Sequence, residues 1–218
     1  MSAIRNKLVR IYKVLVALLS RFYGVEIIYK EDIDEKVLYI TFDDGPDPNF
    51  TPPILEVLKK YNANATFFMV GNQVLKYPEI VGEIVGEGHL VGNHTSSHHK
   101  GWLNKPYNTA KAELSECESA LDQFAPTRNK VFRAPWGVLN FRAIRAAKSQ
   151  QLKIVHWSYD SKDYQKQGVQ EIINRFDVEP VHPGDIILFH DDNLDTRNAL
   201  EVLLNKWANE GYTFDICR

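Results

Sequence analysis

The feature that most restricts the fold of this chain is an alternation that starts near residue 37 and continues to the carboxyl end. Short β-branched or aromatic runs occupy residues 37–42, 65–70, 89–93, 131–133, 153–158, 185–190 and 212–217. The segments between them have helical periodicity. Pro52-Pro53 opens the first, with Ile54, Leu55 and Leu58 as its apolar face, and the others span 74–85, 110–124, 141–148, 169–176 and 196–207. Strands that alternate with helices, with no strand-only stretch, call for a parallel sheet covered by helices. The expected fold is therefore α/β, a distorted (β/α) barrel of about seven parallel strand–helix units. An eight-unit barrel usually needs about 250 residues, and this chain has 218. A doubly wound open sheet is the competing architecture, disfavoured because no glycine-rich phosphate loop follows the first strand.

Composition sets the outer limits. With 44% hydrophobic and 25% charged residues the chain has the make-up of a globular protein. Its 26 basic and 28 acidic residues give a net charge of −2, so it lacks the basic surplus of a nucleic-acid binder. Cys117 and Cys217 have no metal-ligand spacing and are expected to be buried apolar residues.

The first 24 residues stand apart from the body at 25–218. Arg5, Lys7, Arg10, Lys13 and Arg21 are basic, and no acid precedes Glu26. Ile4, Leu8, Ile11, Leu15, Leu18 and Phe22 recur at the spacing of one helical face. The uncharged apolar run 14–19 is far too short to cross a bilayer. The segment also lacks a good signal-peptide cleavage site. Two readings stay open for this amphipathic arm: peripheral contact with a membrane surface, or closure of one end of the domain with Leu15 and Phe22 in the core. The expected location is cytoplasmic, peripheral to a membrane, or in the cell envelope.

Chemistry in parallel β/α folds gathers where the strands end, and the ionisable residues of this chain fall there. The first strand ends in Asp43-Asp44-Gly45-Pro46, the third in Asn93-His94-Thr95-Ser96-Ser97-His98, and the fourth in Arg133-Ala134-Pro135-Trp136-Gly137. Asp160 and Asp163 follow the fifth, and His190-Asp191-Asp192 ends the sixth. Asp43-Asp44 is also good turn sequence, but two carboxylates closing an apolar strand can divide a metal and a substrate between them. His94 and His98 have the spacing that brings two imidazoles together on a helical turn, with His99 as the alternative partner in a non-helical segment. Two histidines and an aspartate leave coordination positions open for hydrolysis. Arg133 is a planar fork suited to holding a carboxylate. The Trp136 N–H suits an oxyanion and its indole suits a sugar face. Asp160 or Asp163 could keep His190 protonated as a general acid. His89, His156 and His182 have no comparable setting and are assigned to structure.

Together these segments resemble the NodB-homology polysaccharide deacetylases, carbohydrate esterase family 4, in the family's order from about residue 36 to 217. Thr41-Phe42-Asp43-Asp44-Gly45-Pro46 matches the first family motif, His94-Thr95-Ser96-Ser97-His98 the second, Arg133 to Gly137 the third, and Leu188-Phe189-His190-Asp191 the last. The resemblance implies that Asp44, His94 and His98 hold one divalent metal, zinc by preference, with cobalt, nickel or manganese as replacements. It implies that Asp43 is the general base and His190 the general acid, with Arg133 orienting Asp43 and Asp163 tuning His190. Trp136, Pro135, Leu188 and Tyr164 would contact substrate, Leu188 beside the acyl methyl and the Trp136 N–H at the oxyanion. Two departures stand out: Trp136 replaces the usual Tyr, and Asp163-Tyr164 replaces the usual Asp-Trp, which leaves Asp160 as a fallback partner for His190. The implied activity is metal-dependent N-deacetylation of N-acetylglucosamine-type sugars in chitin oligomers, peptidoglycan or exopolysaccharide. Alternatives are hydrolysis of a lipid-linked formamido sugar or of acetylxylan, or a non-catalytic glycan-binding module. The expected partner is carbohydrate, and the chain is expected to act as a monomer.

Overall fold

The computed structural model describes residues 14–104 and 106–217. Its strands are β1 (Ile27–Ile28), β2 (Val37–Asp43), β3 (Ala65–Met69), β4 (Leu90–Asn93), β5 (Val131–Phe132), β6 (Lys153–Val155), β7 (Tyr159–Asp160), β8 (Ile186–His190) and β9 (Thr213–Phe214). The helices are α1 (14–23), α2 (Thr51–Lys60), α3 (Gly71–Lys76), α4 (Pro78–Gly86), α5 (Tyr107–Leu121), α6 (Phe141–Ser149), α7 (Val169–Val178) and α8 (Leu194–Asn209). The strand order is β1-β6-β5-β4-β3-β2-β8-β7, with β9 also paired to β2. All of these pairings are parallel. The chain after β1 reaches the chain entering β8 through an antiparallel Lys30–Asp185 bridge. A Glu31 N–H bond to the Gly184 carbonyl at 2.9 Å and a Lys30–Asp185 ion pair at 3.0 Å reinforce it. The strand path thereby becomes a distorted barrel rather than an open sheet.

Strand parity explains how polar residues come to lie inside it. Side chains of a strand alternate between faces. On β2, Leu38, Ile40 and Phe42 join the large outer core with Leu55, Leu58, Phe176, Leu203 and Trp207 of the helices. Tyr39 points the other way and packs with Phe68, Val131, Val155 and Ile186, so Thr41 and Asp43 share that interior face. The same alternation on β8 sends Ile187 and Phe189 outward and Ile186, Leu188 and His190 inward. Register pairs Thr41 with Leu188 and Asp43 with His190. The acid and the histidine are thus side by side at the barrel mouth because of backbone pairing alone.

Several elements differ from the sequence expectation. The helix expected over 74–85 is two helices that meet at Tyr77-Pro78, because proline has no N–H to continue a helix and pushes the preceding residue out of the helical region. The run 153–158 pairs only over β6. The chain then turns so that the Ser158 N–H bonds to Ile186 before β7 begins. β1 and β7, of two residues each, are too short for periodicity to reveal. Both cysteines are buried and unpaired. In α1, Val16, Leu19 and Tyr23 pack against Trp102, Leu114, Phe132 and Ile144, while Leu15 and Phe22 are exposed. The reading that placed Leu15 and Phe22 in the core is therefore corrected: the inward stripe lies one residue along, at 16, 19–20 and 23. Residues 1–13 of the arm lie outside the described residues.

The helices that cover β2 and β8 are locked by aromatic packing. Phe176 stacks on Tyr159 at 4.3 Å and meets Trp207 edge-on at 5.2 Å. Phe176→Ala should cost about 3–5 kcal/mol, as other buried aromatic truncations do. Urea unfolding should show a lower midpoint at an unchanged slope, and a loss below about 1 kcal/mol would contradict this packing.

Candidate active site

The carboxyl ends of β2, β4, β5 and β8 converge on a cleft of about 370 Å³ lined by Asp43, Asp44, His94, His98, Trp136, Gly137, Trp157, Asp160, Tyr164, Leu188, His190 and Asp192. Most of the residues singled out from the sequence meet here. Pro135 does not line the cleft, since it is buried at the start of the turn that carries Trp136.

Arg133 anchors the floor. Its side chain is fully buried, where an unpaired guanidinium would be very costly. Nη1 donates to Asp43 Oδ1 at 2.8 Å and Thr41 Oγ1 at 2.7 Å, Nη2 to the His156 carbonyl at 2.9 Å, and Nε to the Val155 carbonyl at 3.2 Å. The guanidinium also lies 4.1 Å above the Phe68 ring centroid. One side chain thus joins β2, β5 and the exit of β6, and fixes one oxygen of Asp43.

Asp44 leaves the strand with φ 79° and so turns away from its neighbour. The next residue must be glycine, because a Cβ at Gly45 would sit 2.1 Å from Asp191 Oδ2. Asp44 Oδ1 lies 3.4 Å from His94 Nε2 and 3.3 Å from His98 Nε2. These distances are too long for good hydrogen bonds, and the buried Oδ1 has no hydrogen-bond partner among the described residues. The three ligand atoms lie within 4.8 Å of one another. His94 Nδ1 is 2.8 Å from the Arg133 carbonyl, which assigns the proton to Nδ1 and leaves the Nε2 lone pair facing Asp44. An orphaned carboxylate oxygen between two imidazole nitrogens is a donor set that fits a divalent metal.

The histidine pair is not on a helix. Residues 94–98 form an irregular loop in which Thr95 and His98 take positive φ values of 69° and 47°. The Thr95 N–H donates to Asn93 Oδ1 at 2.9 Å, and the His98 N–H to Thr95 Oγ1 at 3.1 Å. The helical-turn explanation of this spacing is therefore corrected: side-chain bonds to the loop backbone bring His98 back over His94, with ring centroids 5.0 Å apart. His99 is exposed and outside the cluster. Burial, helped by the neighbouring His94, lowers the pKa of His98, which favours the neutral form that a metal requires.

On the adjacent strand β8, His190 Nδ1 is 2.8 Å from Asp163 Oδ1. The other oxygen of Asp163 accepts the His190 N–H and the Thr196 hydroxyl, both at 2.7 Å. Asp160 reaches the cleft but its Oδ1 accepts the Lys162 N–H instead, so Asp163 is the carboxylate on the imidazole. Burial works against a charged His190, yet the hydrogen-bonded Asp163 outweighs it and pushes the pKa up to about 9. Tyr164 stands edge-on to that imidazole at 5.6 Å, and the Trp136 ring lies 4.5 Å from His98. Leu188 is buried in the cleft wall.

Sequence reasoning missed the residues that support these groups. Asn93 bonds to Glu118 and to the Leu114 carbonyl at 3.0 and 2.9 Å, tying the histidine loop to α5. Thr196 braces Asp163 from α8. Asp191 accepts the Thr51 hydroxyl behind Gly45, and burial pushes its carboxyl up to about 7. Asn93 and Asp191 adjoin histidines already singled out, a signal that was present. Glu118 and Thr196 lie on helices at positions that nothing local marks.

A family model described as polysaccharide deacetylase matches residues 30–155. A peptidoglycan-N-acetylglucosamine deacetylase of Bacillus cereus is 36% identical over 186 residues, 83% of this chain and 86% of that protein. A chitooligosaccharide deacetylase of a Bradyrhizobium species is 35% identical over 161 residues, 71% of this chain and 70% of that one. The crystal structure of the Bc1960 peptidoglycan N-acetylglucosamine deacetylase superposes with a TM-score of 0.83 at 30% identity, covering 90% of this chain and 93% of that chain.

The His190–Asp163 pair yields a pH prediction. A folded-state pKa raised above the ordinary imidazole value means that protonated His190 stabilises the fold fully below about pH 6.5. That contribution is lost as pH rises through about 9. NMR titration of metal-free protein should find His190 titrating near 9, and Asp163→Asn should bring it down to the ordinary range or below. An unshifted His190 in the wild type would contradict the pairing.

Proposed function

Because the chain belongs to the polysaccharide deacetylase family, carbohydrate esterase family 4, we propose that it removes N-acetyl groups from N-acetylglucosamine-type residues of a glycan. The reading is carried by one arrangement: two tethered groups, the Asp43 carboxylate held by Arg133 and the His190 imidazole held by Asp163, lie side by side at the ends of β2 and β8, beside the Asp44–His94–His98 cluster. Binding a glycan needs no such acid–base pair, which argues against a non-catalytic module.

A divalent metal held by Asp44, His94 and His98 would polarise the amide carbonyl and make a water more acidic. Asp43 takes the proton of the attacking water through Oδ2, because Oδ1 is committed to Arg133. The water oxygen bonds to the acetyl carbon, and the Trp136 N–H is assigned to the charge that develops on the carbonyl oxygen. His190, held protonated by Asp163, gives its proton to the amide nitrogen as the C–N bond breaks. Acetate and a free amino sugar leave. Leu188 offers an apolar wall to the acetyl methyl, and the half-exposed rings of Trp136 and Tyr164 offer faces to the sugar. Similarity to deacetylases of peptidoglycan and of chitooligosaccharides supports N-acetylglucosamine as the reacting residue.

An acetate-release assay on chitin oligomers, peptidoglycan and acetylxylan, with elemental analysis of the same samples, tests the proposal. Acetate should come from the N-acetylated glycans and stop on chelation. Asp43→Asn and His190→Ala should keep their metal and lose about 10²–10⁴-fold in kcat, whereas His94→Ala should lose metal and activity together. Near wild-type turnover in Asp43→Asn or His190→Ala, or full metal content in His94→Ala, would refute the assigned roles.

A further inference from the structure

The helix at the amino end of the described chain carries two apolar stripes, and only one of them is used. Val16, Leu19 and Tyr23 pack against the core around Trp102, Leu114, Phe132 and Ile144. That packing fixes the roll of the helix and turns Leu15, Leu18 and Phe22 outward, 54%, 61% and 80% exposed. Such a row of large apolar side chains in water is worth about 1.5–3 kcal/mol per side chain once covered. In the sequence it continues at the same spacing through Ile11, Leu8 and Ile4.

The charge around the row identifies what covers it. Arg21 is exposed beside Phe22, and Arg5, Lys7, Arg10 and Lys13 precede it with no acid before Glu26. Glu26 itself faces Lys153 at 3.4 Å. The neighbouring α6 packs on the same core cluster and has no acid between residues 141 and 149. Phe141, Arg145 and Lys148 are exposed and Arg142 is half-buried, and Lys148 Nζ donates to the Gly24 carbonyl at 3.0 Å where α1 ends. Two adjoining helices thus present apolar tips within a field of one sign, although the whole chain is slightly acidic. An ordinary protein partner does not require such uniform positive charge. A sheet of anionic headgroups over hydrocarbon does. No helix among the described residues is long and apolar enough to cross a membrane, so contact would be confined to the interface. None of the described residues that line the cleft belongs to α1 or α6, so covering their outer faces leaves the cleft itself uncovered.

We propose that the outer face of α1, together with the basic face of α6, docks this protein on the surface of an anionic phospholipid bilayer and leaves the catalytic cleft open to the aqueous side. The proposal is independent of the reaction, since vesicle binding stands whether or not acetate is released.

The full chain should co-sediment with vesicles of about one-third phosphatidylglycerol in phosphatidylcholine, not with pure phosphatidylcholine, and added salt should release it. Each basic side chain near such a surface contributes about five-fold to partition, from about 1 kcal/mol per charge. The Arg21→Gln/Arg142→Gln double variant should therefore bind about thirty-fold more weakly. Leu18→Ser/Phe22→Ser, at exposed positions, should lose binding while its melting temperature stays unchanged, as does acetate release from soluble chitooligosaccharide. The proposal is overturned if the wild type ignores anionic vesicles at low salt, or if Leu18→Ser/Phe22→Ser binds like the wild type. It is equally overturned if the wild type sediments as a dimer that this variant dissociates, which would assign the face to a second copy of the chain.

Discussion

A guanidinium with no water around it has to be paired, and in this protein that necessity organises the mouth of the barrel. Arg133 spends its donors on Asp43, Thr41 and the carbonyls of Val155 and His156. It therefore holds strands from distant parts of the sequence at one spacing. Removing one partner of such a buried pair typically costs about 3–5 kcal/mol, because the other charge is left uncompensated. The pair also divides labour between two adjacent aspartates. Asp43 is held back on the barrel axis by Arg133, whereas Asp44, turned out by its positive φ, is free to face His94 and His98. The Arg133 carbonyl meanwhile fixes the His94 tautomer, so one residue orders both halves of the site.

The neighbouring strand β8 repeats the logic with a different cation. His190 is bound on Nδ1 by Asp163, and Asp163 is itself held by Thr196 and by the His190 backbone. One tethered pair aims a carboxylate, and the other keeps an imidazole charged.

Much of this was legible in the sequence because it rests on period-two alternation. Once the runs at 37–42 and 185–190 are strands, their polar last residues must come to the same end of a parallel sheet, and Asp43 and His190 follow. Proline at 78 likewise announces a helix start that a purely periodic reading ran through. The geometry of the histidine loop was not legible: its spacing agrees with a helix, but Asn93 and Thr95 bend it by side-chain bonds that no period encodes. The inward stripe of α1 was hidden for a related reason. The helix has two apolar stripes, and only the tertiary partner decides which is buried. Glu118 and Thr196 support the site from helices far along the chain, and a reading restricted to strand ends passes over them.

On the proposed mechanism, Arg133 keeps Asp43 off the metal so that Asp43 serves as the base. A crystal structure of the metal-loaded protein with anomalous diffraction data tests this most directly. The expected result is a single anomalous peak bonded to Asp44 Oδ1, His94 Nε2 and His98 Nε2, with Asp43 Oδ1 still on Arg133 and Asp43 outside the coordination sphere. A metal bonded to Asp43, or bound away from these three residues, would contradict it.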